Sequence, residues 1–74
     1  MGWLKVLQGN EEEKFFWHPD REEEVRQAEE KFVHYQRQGF VACKISGKGG
    51  TGMQITEFDR NAEEIFMLGM VEGG

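Results

Sequence analysis

Gly73 and Gly74 follow the apolar run Glu64-Ile65-Phe66-Met67-Leu68-Gly69-Met70-Val71-Glu72 and make a backbone thin enough to enter a channel where any Cβ would clash. Ending in a carboxylate, they are the candidate reactive part of the chain, expected to be extended and mobile beyond Val71. A glycine pair also describes a frayed, solvated terminus, so the weight rests on the residues before it. The other groups that could do chemistry do not assemble. Cys43 falls in an apolar strand pattern and is expected as a buried small hydrophobe, because a nucleophilic thiol needs an accessible, positively polarised setting. His18, His34 and Cys43 share no metal-ligand spacing. Gly47-Lys48-Gly49-Gly50-Thr51-Gly52 has the composition of a phosphate-binding loop, but its lysine comes early, and Met53-Gln54-Ile55-Thr56 after it reads as strand rather than helix. A flexible link between strands is expected there. The acidic run Glu22-Glu23-Glu24 reads as the solvated face of a helix, with i,i+4 pairs such as Glu22–Arg26.

Seventy-four residues form one small domain, too small for a roomy enzymatic cleft, so the chain is expected to be acted upon rather than to catalyse. A formal charge of -5, from 14 acidic against 9 basic residues, speaks against nucleic acid and suits docking on something basic. No run approaches the roughly 18 apolar residues that cross a bilayer, and no charged-then-apolar leader opens the chain. Met1-Gly2 lacks the Ser or Thr that a myristoylation pattern wants where Val6 stands. The expectation is a cytoplasmic protein with no membrane partner. Cys43, the single cysteine, leaves no intrachain disulfide.

The elements that must position the tail are legible in order. Gly2 to Gln8 alternates, with Leu4 and Val6 on one face and Trp3, Lys5 and Leu7 on the other. Gly9-Asn10 predicts a tight turn, and Glu12 to His18 predicts the returning arm of a hairpin that buries Leu4, Val6, Phe15 and Trp17. Pro19 stops the strand, and Asp20 with Glu23 three residues on predicts a capping box. Val25, Ala28, Phe32 and Tyr35 form one apolar stripe at helical spacing, and Gly39 is placed to end the helix in a left-handed conformation. Phe40 to Ser46 predicts a third strand, with Val41, Cys43 and Ile45 on one face and Phe40, Ala42 and Lys44 on the other. Asp59-Arg60-Asn61-Ala62 predicts a turn before the final strand.

A hairpin, a helix, a strand, a short strand and a final strand ending in Gly-Gly: this order resembles the β-grasp fold of ubiquitin and of bacterial sulfur carriers. The last twelve residues, Glu63 to Gly74, look like the end of the molybdopterin-synthase small subunit, with Gly69-Met70 where those carriers have two prolines. The resemblance implies an α+β domain over residues 1–72 with a tail at 73–74. Its sheet would be mixed and four- to five-stranded, with one helix on one face and the final strand central, parallel to the first. The tight place in that plan is the Asp59–Glu64 link, which must carry the chain over the third strand.

The same resemblance implies the chemistry. An activating enzyme uses ATP to adenylate the Gly74 carboxylate, with Gly73 supplying clearance, and a thiol or sulfide captures the acyl adenylate. The chain itself binds no cofactor. The preferred product, since the carriers' prolines are missing, is an isopeptide bond to a target protein, with a conjugating enzyme or metalloprotease as further partners; the alternative is a thiocarboxylate that donates sulfur in cofactor synthesis of molybdopterin or thiamine type. A non-reactive interaction or self-assembling module is the third reading. Alternation also predicts a protein-binding face opposite the helix, made by Trp3, Phe16, Phe40, Ala42, Phe66 and Leu68, through which the chain could pair with itself. Trp3 and Phe16 could equally cover each other as cross-strand neighbours.

Overall fold

The structure, a computed structural model, describes residues 1–45 and 52–69; residues 46–51, on which the expected flexible link falls, and residues 70–74, with Gly73 and Gly74, lie outside the described residues. Strand β1 (Gly2–Gln8) and strand β2 (Glu11–Trp17) pair antiparallel across a two-residue turn, Gln8 opposite Glu11. Gly9 takes a φ of 59°, the left-handed value that a hairpin turn of this length demands. The alternation holds: Leu4, Val6 and Trp17 are buried and Phe15 packs against them. Each large side chain removed from water in this way contributes about 1.5–3 kcal/mol.

Helix α1 (Glu22–Arg37) buries Val25, Ala28 and Phe32 against that face. Its start departs from the capping-box expectation. Arg21 is the N-cap and no side chain caps it; instead the Glu24 carboxylate reaches back to accept the His18 backbone N–H at 2.8 Å. Glu22 is not paired with Arg26, which lies 3.4 Å from Glu23. The C-terminal end is as expected, and more completely built. Gly39, at φ 97°, lets its own N–H reach the Gln36 carbonyl and the Phe40 N–H reach that of Tyr35, while the Tyr35 and Phe40 rings pack with centroids 5.0 Å apart. This is a Schellman motif with its accompanying apolar contact.

That cap sets the phase of the next strand. Phe40 is held on the helix side, so in strand β3 (Val41–Ile45) it is Ala42 that points into the core, at 2% exposure, while Val41, Cys43 and Ile45 point to the opposite face. The expected outward orientation of Phe40 and Ala42, and the buried setting of Cys43, are therefore corrected. A strand shifted by one residue exchanges its faces entirely. Strand β4 (Met53–Ile55) pairs antiparallel with β3, and strand β5 (Glu64–Leu68) lies between β3 and β1, antiparallel to the first and parallel to the second. The sheet order β2-β1-β5-β3-β4 makes β5 the central strand, with Ile65 and Met67 fully buried beneath the helix.

The link from β4 to β5 crosses β3 by inserting its own side chains into the core. Phe58 packs on Trp17 and Phe32, with centroids 5.0 and 5.9 Å away. A turn follows, closed by the Ala62 N–H on the Asp59 carbonyl at 3.1 Å. Arg60 then ties the link to the hairpin and the helix: its guanidinium donates to the Pro19 carbonyl and to Glu22, both at 2.6 Å, and its carbonyl accepts the Trp17 indole N–H at 2.9 Å.

Candidate functional site

Two features adjoin: the open face of the sheet and the end of β5 at Leu68. Outward residues of the paired strands form three rows. Phe16, Trp3, Glu64 and Ile45 make the first, Lys14, Lys5, Phe66, Cys43 and Gln54 the second, and Glu12, Leu7, Leu68 and Val41 the third. Among the described residues no helix covers them. Phe16 is 58% exposed and Leu68 41%, while Trp3, Leu7, Phe66, Val41 and Ile45 are half-buried by one another. Trp3 and Phe16 stack nearly parallel with centroids 6.1 Å apart.

Cations are folded over this aromatic surface rather than standing away from it. Lys14 lies 5.1 Å from the centre of the Trp3 ring and Lys5 5.7 Å from that of Phe66, and both approach the Glu12 carboxylate, at 3.7 and 3.2 Å. Such contacts contribute about 0.5–1 kcal/mol each at exposed positions and orient the ammonium stems along the apolar surface. Of the residues expected on this face, Trp3, Phe16, Phe66 and Leu68 are brought together; Phe40 and Ala42 are not. Leu7, Val41, Cys43 and Ile45 belong to it instead. Leu7 was readable from its alternation with Trp3 and Lys5; the other three depend on the phase of β3.

Gly69 follows the last residue of β5. Its N–H donates to the Leu7 carbonyl at 3.1 Å, extending the β1–β5 ladder one residue beyond Leu68. A Cβ on Gly69 would meet two carbons of the Phe40 ring at 3.1 Å, tighter than an ordinary contact. Gly73 and Gly74 follow beyond the described residues, four and five positions on.

The groups whose titration is shifted lie on the helix side. Lys44 donates to Asp59 at 2.8 Å; that bond, with the Asn61 N–H at 2.9 Å, holds the Asp59 carboxyl below its ordinary range. Glu22 is likewise lowered by the hydrogen bond and charge of Arg60. Burial, reinforced by the hydrogen bond it donates to Glu13 at 2.9 Å, pushes the Tyr35 hydroxyl up. These pairs fasten loop to strand and helix to hairpin. Arg60 and Asp59, which the turn pattern placed without a role, carry the fastening. Among the described residues no three His, Cys, Asp or Glu side chains stand together to hold a metal ion, and no helix is long and apolar enough to cross a membrane.

Comparison with known protein families, with curated proteins and with solved structures yields no match for this chain.

Proposed function

We propose that the chain is a ubiquitin-like protein of the β-grasp fold, whose Gly74 carboxylate is adenylated by an ATP-using activating enzyme and then joined to a target protein. The observation that carries this reading is the position of β5: central, parallel to β1, under the helix, with its ladder continuing to Gly69 and the sequence then running to Gly73-Gly74. Residues that follow the middle strand of a sheet have a firm base, so an enzyme can hold the domain while the last of them enter its channel. Gly73 provides the clearance and Gly74 the reacting carboxyl. The open face, with Trp3, Phe16, Phe66 and Leu68, serves protein binding in this reading. A conjugating enzyme or a metalloprotease is the expected further partner.

Gly69 favours this reading over a sulfur carrier of the molybdopterin type. Those carriers have prolines at the corresponding place, and a proline has no N–H to give to the Leu7 carbonyl.

The test is ATP–pyrophosphate exchange with the candidate activating enzyme. Full-length protein should support exchange, Gly73→Ala should impair it, and deletion of Gly73 and Gly74 should abolish it while leaving Tm nearly unchanged. Exchange that survives the deletion removes the mechanism. Mass analysis of the C terminus from the native host separates the products: a target-linked Gly74 supports the modifier, and a thiocarboxylate turns the assignment to a sulfur carrier.

A further inference from the structure

The open face carries four charges on the described strands, Lys5, Lys14, Glu12 and Glu64, which cancel. The chain as a whole has 9 basic and 14 acidic residues, so its net charge of -5 is carried elsewhere, including the exposed Glu23, Glu29 and Glu30 on the helix. A strongly basic partner would be drawn to the helix side. A face with no net charge on an acidic protein is instead where two identical acidic molecules can meet with their repelling charges turned outward. We propose that a second copy of this chain covers the face. Such pairing is independent of the tail chemistry.

The grid supports an isologous pairing. A two-fold axis running along the strands sets β1 of each copy over β5 of the other, which brings Leu7 onto Leu68, Lys5 onto the Phe66 ring and Trp3 onto Glu64. Edge-to-edge joining is disfavoured by comparison, since the β2 edge is Glu11-Glu12-Glu13-Lys14 and β4 has three residues. Size sets the strength. Five strands about 4.8 Å apart and about 17 Å long present roughly 400 Å² before side-chain relief, below the roughly 800 Å² per partner of a standard interface. The dimer is therefore weak, in the upper micromolar range, and dissociates readily enough for the face to be lent to other proteins.

Sedimentation equilibrium of the full chain from about 10 μM to about 1 mM spans that range. The expected result is a mass rising from one chain toward two. Lys14→Glu makes the face net negative and Glu64→Lys makes it net positive, and each should raise Kd by about tenfold. An equal mixture of the two variants should associate more tightly than either alone. Glu30→Lys changes the total charge by the same amount as Glu64→Lys but lies on the helix, and should leave Kd unchanged. Leu68→Ser, at an exposed position, is a second face variant that keeps the fold, checked for every variant by Tm. A one-chain mass at all concentrations overturns the proposal. So does a dimer indifferent to Lys14→Glu, Glu64→Lys and Leu68→Ser, or one weakened as much by Glu30→Lys. A monomer whose Trp3 fluorescence responds only when another protein is added would give the face to that protein and overturn it as well.

Discussion

Gly2 lies in β1 with its Cα against the Trp17 indole, and Gly2→Ala tests how rigidly that corner is packed. An added Cβ would stand 2.3 Å from Cζ2 and 2.5 Å from Cε2 of the ring, and 2.6 Å from the Ala62 carbonyl oxygen. Carbons in contact settle at about 3.5–4.0 Å, so the ring must retreat by about 1–1.7 Å. Neither neighbour moves freely. Trp17 has no exposed surface, its N–H is held by the Arg60 carbonyl at 2.9 Å, and Phe58 packs on the other side. Ala62 is buried in the same link, which Arg60 ties to Glu22. Overpacking costs about 1–3 kcal/mol and a weakened buried hydrogen bond about 0.5–1.5, giving a loss of roughly 2–4 kcal/mol. The opposing gain from a stiffer unfolded chain is only about 0.4–1 kcal/mol. For a domain of this size the loss lowers Tm by roughly 10–25 °C. Urea and thermal unfolding, followed by circular dichroism, measure it directly. In a Trp17→Phe background, which removes much of the clashing ring, the cost of Gly2→Ala should shrink. A Gly2→Ala protein as stable as the parent would refute the packing argument.

Asp59→Asn should show a pH-dependent cost. The Asp59 carboxyl is held below its ordinary value of 3.8 in the folded state, so its contribution is full above that value and disappears as pH falls through the lower folded value. Urea midpoints of parent and variant should differ at neutral pH and converge in acid; curves that stay parallel would assign the effect to packing alone. Gly69→Pro should cost about 1–3 kcal/mol, because it deletes the N–H held by Leu7 and drives atoms toward the Phe40 ring. Chemical denaturation measures this, and an unchanged midpoint would place the end of the β1–β5 ladder at Leu68.

The hairpin, the helix and the glycine that ends it were legible because their signals are local. Period-two alternation selects Leu4 and Val6, a two-residue Gly-Asn turn sets the register, and the spacing of Val25, Ala28, Phe32 and Tyr35 admits only one helical face. The candidate tail at 73–74 is a signal of composition alone and lies outside the described residues. The phase of β3 was not legible. Val41, Cys43 and Ile45 are more apolar than Ala42 and Lys44, so alternation alone turned the wrong face inward; the Schellman cap, by fixing Phe40 against Tyr35, decided the matter from the preceding element. Lys44 tolerates the core side because its ammonium donates a hydrogen bond to the carboxylate of Asp59, fifteen positions away. Glu22 found Arg60 across thirty-eight positions instead of Arg26 one turn on, because the crossing link delivers a guanidinium already anchored on the Pro19 carbonyl. Contacts of that range depend on where the chain returns in space, and a pattern read along the chain contains no such coordinate. The identity and order of the elements therefore belong to the sequence, and the membership of the open face belongs to the tertiary packing that sets which side of β3 is out.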